Sequence, residues 1–308
     1  MASPIAVVTG ANRGLGLAIV RTLLKEKPDW TVALTSRDST KGQQAVEDLK
    51  KEGFKNVVYH QLDVTNKDSI SAFKKVVSEK YPQGLTALVN NAGIFLTGKT
   101  ENWEYQQSRF QQTCEVNYLS VFNVINELSN VLAKNARVAM ISSRSAQMCF
   151  MQFPKDVQAK WKSVKSFDEL NNLVMNDFCQ QKPNESNQMP SVFLGDLNMR
   201  APGLGAHLGD LLPYTVSKLA LNVLAQLFQA KFDKEGRSDV LVNACTPGVI
   251  NTDMNRSASK TAEEGAQVPV FLCSLPNGSQ VRGAFVDADK NVVDSFTVPM
   301  PPQPPAKQ

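Results

Sequence analysis

Apolar residues fall along this 308-residue chain in two alternating rhythms. Short runs that are apolar or β-branched predict strands: IAVVT (5–9), WTVALTS (30–36), NVVYHQL (56–62), TALVN (86–90), RVAMISS (137–143), DVLVNACTP (239–247) and GAFVDA (283–288). Between them apolar positions recur at helical spacing. They run from Leu15 to Lys27, through Ala45, Val46 and Leu49, and through Ile70, Phe73, Val76 and Val77 behind a Thr65/Asn66 cap. Further helices are predicted from Trp103 to Ala133, from Tyr214 to Phe232 and from Ala262 to Cys273. Strands apolar on both faces and separated by helices imply parallel βαβ units. The predicted fold is therefore α/β, a Rossmann-type doubly wound parallel sheet of about seven strands. Right-handed crossovers place its ligand-binding turns at the carboxyl edge of the strands.

Residues 144–213 break this rhythm. FDELNNLVMNDF (167–178) has helical spacing, but Pro183, Pro190, Pro202 and Pro213 and four glycines surround it. A long irregular stretch inside a compact domain reads as a functional loop. The expectation is one catalytic domain over 1–297 carrying an inserted helix-plus-loop lid at 144–213. The proline-rich tail 298–308 reads as disordered.

Composition narrows the function classes. Hydrophobic residues make up 42% and charged residues 20%, with a net charge of +4 and no basic run, so no nucleic-acid or membrane partner is expected. The start, MASPIAVVTG, has no signal-peptide pattern, and no apolar run reaches bilayer length. Five dispersed cysteines without a Cys-x-x-Cys pair suggest reduced thiols and a cytoplasmic location. Two histidines, His60 and His207, lack neighbours at metal spacing, so no metal site is expected.

The first strand runs into TGANRGLG (9–16). Gly10, Gly14 and Gly16 permit close backbone approach, and the helix that follows offers free N–H groups to a phosphate. The G-x-x-x-G-x-G spacing departs from the G-x-G-x-x-G fingerprint, yet its place after the first strand makes it a phosphate site. At the end of the second strand Arg37 lies 21 positions past Gly16, with Arg13 inside the turn and Lys41 close behind. Three cations near one ribose favour NADP(H) over NAD(H), with Asp38 as the counter-signal.

Taken in order, these segments resemble the short-chain dehydrogenase/reductase family over about residues 5–295. TGANRGLG is similar to that family's Thr-Gly-x-x-x-Gly-x-Gly turn, which implies coenzyme contacts at Gly10, Asn12, Arg13, Gly14, Leu15 and Gly16. LDV (62–64) resembles its adenine contact, implying Asp63 and Val64. NNAG (90–93) resembles the turn after the fourth strand, with Asn90, Ala92 and Gly93. EVNYLS (115–120) carries Asn117 where the family has its helix asparagine, and ISS (141–143) gives Ser143 as the catalytic serine. TPGVINT (246–252) resembles the nicotinamide-side loop, implying Pro247, Gly248, Val249 and Thr252. PYTVSK (213–218) supplies Tyr214 and Lys218, whose four-residue spacing alone is too common to decide anything. The 71 residues between Ser143 and Tyr214 resemble the carbonyl reductase branch, whose long insert covers the usual dimerising helices and implies a monomer.

The chemistry that follows is reduction of a small-molecule carbonyl by NADPH. An ammonium beside a phenol is expected to lower its pKa, with Tyr214 as proton donor and Ser143 bonded to the same oxygen. Asn117 would hold a water linking Lys218 to solvent, by resemblance. Met148, Phe150, Met151 and Phe153 line a lipophilic pocket or pack the core, and both readings stand. Two other functions are open: an NADP(H)-binding regulator without turnover, and a reductase dedicated to one steroid, prostaglandin or terpenoid/alkaloid ketone. An epimerase or dehydratase is disfavoured by the short stretch after residue 252.

Overall fold

The computed structural model describes residues 3–96, 103–180, 211–251, 258 and 260–298, with backbone only at 103–106. The strands are β1 (Ile5–Val8), β2 (Thr31–Ser36), β3 (Val57–Gln61), β4 (Leu85–Asn90), β5 (Leu132–Ile141), β6 (Leu241–Cys245), β7 (Phe285–Val286) and β8 (Val292–Val293). They form one sheet in the order β3-β2-β1-β4-β5-β6-β7-β8. Pairing is parallel throughout except between β7 and β8, which are antiparallel. The seven apolar runs are the seven parallel strands. The eighth is a two-residue antiparallel edge that the pattern did not reveal.

Alternation along each strand divides the interior in two. Ile5 and Val7 point into one core and Ala6 and Val8 into the other, all at most 1% exposed. The second core is closed by α1 (Gly14–Glu26), α2 (Ser39–Lys51) and α10 (Ala262–Cys273). The first is closed by α3 (Lys67–Lys80), α4 (Trp103–Cys114), α5 (Ser120–Leu128) and α9 (Leu212–Lys234). Helix starts follow side-chain capping: Asp38, Asn66 and Thr261 accept from the first turns of α2, α3 and α10.

Two expectations need correction. The helix read from Trp103 to Ala133 is not continuous, because Glu115–Leu119 winds as a π-helical turn between α4 and α5, and Leu132 and Ala133 already belong to β5. The extra residue in that turn re-aims the helix face and turns Asn117 fully inward. The insert, read as mostly irregular, carries α6 (Arg144–Gln152) and α7 (Lys155–Ser163) ahead of α8 (Phe167–Asn171), which widens into a second π-helical segment, Asn172–Phe178. Phe167 seats its ring 5.3 Å from Phe122 and 4.8 Å from Phe228, so the insert covers α5 and α9. That cover explains why α9 is buried nearly all round instead of along one stripe. The proline-rich tail beyond residue 298 and the stretch 181–210 lie outside the described residues.

Candidate active site

Every strand of the parallel sheet through β6 ends in a segment singled out from the sequence, and all of these ends share one edge of the sheet. After β1, Gly10 and Gly14 adopt φ of 62° and 56°, the left-handed region that glycine enters without strain. Gly16 is required for a different reason: a Cβ there would stand 2.5 Å from Asn91 Nδ2 and 2.7 Å from the Gly10 carbonyl. The turn is pinned to the strand beside it. Thr9 Oγ1 accepts from the backbone N–H of Asn91 and of Ala92, each at 3.0 Å. Asn91 Nδ2 donates to the Thr9 and Gly10 carbonyls at 2.9 and 3.1 Å. Thr9 and Asn91 were not picked out from the sequence, although both lie inside segments that were.

Helix α1 differs from the capped helices around it. Its N-cap is Arg13, which makes no side-chain cap, and the first turn holds no acidic residue. The first-turn N–H groups and the positive end of the dipole thus face the glycine turn, where Gly14 has open space at its Cβ position. Asn12 and Leu15 are half-buried beside it, and Arg13 is exposed. At the end of β2, Arg37 is exposed, while Asp38 turns its carboxylate back onto α2, accepting from Lys41 N at 3.0 Å and pairing with Lys41 Nζ at 3.2 Å. The capping bonds hold Asp38 below the usual carboxylate range. The counter-signal therefore caps its own helix and pairs with Lys41, and Arg37 and Arg13 lie exposed at the same corner. After β3, Asp63 Oδ1 accepts from Thr65 N and Thr65 Oγ1 at 2.9 and 2.7 Å, and Val64 packs on the core. Asn90, 2% exposed at the end of β4, keeps a buried Nδ2 without a partner. An uncapped helix start, a glycine turn, two exposed arginines and an orphaned amide fit a phosphorylated dinucleotide.

The titratable groups converge one strand further on. Ser143 follows β5 and caps α6, accepting from Ser145 N at 3.2 Å. Tyr214 and Lys218 stand one turn apart on α9. The Ser143 hydroxyl, 2.9 Å from Ser145 Oγ, faces the Tyr214 phenol, and Lys218 Nζ lies 5.4 Å from the centre of the Tyr214 ring while donating to the Ile141 carbonyl at 2.7 Å. Phe95 presents its edge to the same ring at 5.0 Å. Burial pushes the Tyr214 phenol up to about 12 against the opposing hydrogen bond from Ser143. The expected lowering by Lys218 does not prevail, because loss of water around the buried phenol outweighs it. Burial also brings Lys218 down to about 8, against the pull of the nearby Cys245 thiol. At neutral pH the phenol is protonated and the ammonium charged.

Asn117 Oδ1 accepts from Ile94 N at 2.8 Å, and its Nδ2 donates to Ile94 O at 2.9 Å and to Ser217 Oγ at 3.2 Å. Its amide thus clamps the segment after Gly93, and Gly93 lies close enough that a Cβ would stand 3.6 Å from Lys218 Nζ. On the far side Pro247 is buried, Gly248 has φ of 81° and Val249 is 40% exposed; Thr252 lies outside the described residues. Of the apolar cluster after Ser143, Phe150 and Phe153 are core residues, whereas Met148 and Met151 are half-buried. His60 bonds the Tyr81 hydroxyl at 3.0 Å, away from the catalytic groups, and His207 lies outside the described residues.

Comparison with known proteins agrees with this geometry. The sequence profile of short chain dehydrogenases matches residues 4–169. Carbonyl reductase (NADPH) 3 of Homo sapiens is 34% identical over 287 residues, covering 92% of this chain and 96% of that protein. Carbonyl reductase (NADPH) 1 of Rattus norvegicus is 34% identical over 295 residues, covering 94% and 97%. Salutaridine reductase from Papaver somniferum superposes with a TM-score of 0.75 at 25% identity, over 92% of this chain and 99% of that one. The fold is shared as well by menthone neomenthol reductase from Mentha piperita, with a TM-score of 0.68 at 24% identity over 94% and 99%.

Proposed function

The chain belongs to the short chain dehydrogenase family, and from that premise we propose that it is an NADPH-dependent carbonyl reductase, converting aldehydes, ketones or quinones to alcohols. The observation that carries the reading is the meeting of Ser143, Tyr214 and Lys218 at the sheet edge, next to the uncapped start of α1. Gly10, Gly14 and Gly16 would admit the pyrophosphate of the coenzyme, and Arg37 with Arg13 would hold its 2′-phosphate. Asp63, Val64, Asn90, Ala92, Gly93, Pro247, Gly248, Val249 and Thr252 would border the rest of it.

When bound, NADPH supplies the hydride. Tyr214, protonated at neutral pH, gives its proton to the oxygen of the reduced carbonyl. The Ser143 hydroxyl bonds the same oxygen and holds it within reach of the phenol. The Lys218 ammonium, over the Tyr214 ring, steadies the phenolate left behind. Asn117 contributes by fixing the Gly93–Ile94 segment beside Lys218.

The chain is further proposed to act as a monomer, since Phe167 and its insert cover the faces of α5 and α9. Five free, buried cysteines suit a reducing compartment such as the cytosol. The test is NADPH oxidation with a panel of aldehydes, ketones and quinones. Tyr214→Phe should lower kcat about 10²–10⁴-fold with NADPH affinity kept. Undiminished turnover in that variant, or no turnover of any carbonyl by the wild type, rejects the reading.

A further inference from the structure

We propose that Asn222 is a positioning residue that holds Ser143 in register with Tyr214 and Lys218; the proposal rests on the reductase reading above. Asn222 is fully buried on α9, one turn beyond Lys218. Its Nδ2 donates to the backbone carbonyl of Ser295 at 2.9 Å. A carbonyl can only accept, so the amide orientation is fixed and Oδ1 faces the Ser142 hydroxyl, 2.7 Å away. Ser142 Oγ also lies 2.8 Å from the Lys218 carbonyl, but that carbonyl already belongs to the helical ladder of α9.

The consequence appears in three consecutive residues at the end of β5. The Ile141 carbonyl accepts from the Lys218 ammonium, the Ser142 hydroxyl bonds Asn222, and Ser143 sets its hydroxyl beside the Tyr214 phenol. Asn222 is the member of this row that reaches a third part of the chain. Through Ser295 it is joined to the turn that follows β8, in which Asp294 Oδ1 accepts from Phe296 N at 2.8 Å and Thr297 N at 2.7 Å. That turn in turn braces α6, the helix that Ser143 begins. Gln147, 1% exposed, donates to the Asp294 and Thr297 carbonyls, and Phe296 packs 4.9 Å from Phe150. The strand end, the catalytic helix and the C-terminal turn are thus fastened at one buried amide. Removing it leaves the Ser295 carbonyl and the Ser142 hydroxyl to find other partners, and the freed strand end carries Ser143 with it.

The experiment compares Asn222→Leu, Ser142→Ala and the double variant with the wild type, for kcat, substrate KM, NADPH Kd and crystal structure. The expected result for Asn222→Leu is a fall in kcat of about tenfold to a hundredfold with NADPH Kd changed by less than about twofold. Its structure should show Ser143 Oγ displaced away from the Tyr214 phenol relative to the wild type. The double variant should lose no more than the worse single one, because both remove one contact. Gln226→Leu, which removes a 3.1 Å bond to Ser295 Oγ from the exposed side of α9, should keep the wild-type kcat. Should Asn222→Leu fail to fold, Ser142→Ala reads the same contact from the strand side. A folded variant with kcat within about twofold of wild type, or with Ser143 Oγ in its wild-type position beside the Tyr214 phenol, overturns the proposal. A wild type inert toward every carbonyl would sink the reductase reading instead, and the variant coordinates would still decide the positioning role.

Discussion

Replacing Lys218 by methionine should separate the functional from the structural value of the buried ammonium. The side chain is 4% exposed, and burial brings it down to about 8 from an ordinary 10.5. A base held low in the folded state gives stability that is complete above 10.5 and lost as pH falls through 8. Between those values the unfolded chain binds the extra proton, so folding strengthens as pH rises. At roughly 1.36 kcal/mol per pH unit, the ammonium's share should change by about 2 to 3 kcal/mol between pH 7 and pH 10. Against this stands the 2.7 Å bond to the Ile141 carbonyl, whose loss costs about 1–3 kcal/mol at any pH. Lys218→Met should therefore sit close to wild-type stability at pH 7 and fall behind it by about 2 to 3 kcal/mol at pH 10. The assay is urea unfolding of both proteins without coenzyme across that range. Tyr214 does not confuse it, since both proteins carry the phenol and its own titration cancels in the difference. A stability difference that is flat with pH, or that moves in favour of Lys218→Met, would refute the reasoning.

Arg37→Ala should weaken NADPH binding by about tenfold and leave NADH binding unchanged, measured by quenching of protein fluorescence on titration. Gly16→Val should abolish coenzyme binding and lower stability by about 2 kcal/mol or more, read by titration and thermal melting, because its Cβ falls 2.5 Å from Asn91 Nδ2. Sedimentation equilibrium at micromolar concentration should return the mass of one chain; a dimer would show that the insert leaves a face of α5 or α9 open.

The central strands were legible because they are apolar on both faces, a pattern that a central parallel strand needs and an amphipathic helix does not. β8 had no such signal: it is two residues long, and Val292 is 57% exposed. The π-helical turn at Glu115–Leu119 escaped notice for a different reason. Phe110, Cys114, Tyr118 and Val121 continue an apolar stripe through it, so periodicity alone does not register the extra residue. In the insert, Pro154 reads as a breaker but serves as the N-cap of α7, and α6 depends on the Ser143 cap and on packing of Cys149 and Phe150.

The site was legible as far as motifs carry identity and illegible where only three-dimensional placement carries the effect. Four-residue spacing puts Lys218 on the same helix face as Tyr214, and from there an ammonium lowering a phenol is the natural inference. The fold instead lays the ammonium over the ring and takes the phenol out of water, so burial governs and the phenol rises to about 12. This sign has a chemical meaning. A phenol kept protonated across neutral pH is ready to donate, whereas oxidation of an alcohol first requires it to lose that proton. The same burial that costs the apoprotein stability at Lys218 makes Tyr214 hold its proton more tightly than an exposed phenol would, so the phenolate left by donation depends on the ammonium over its ring.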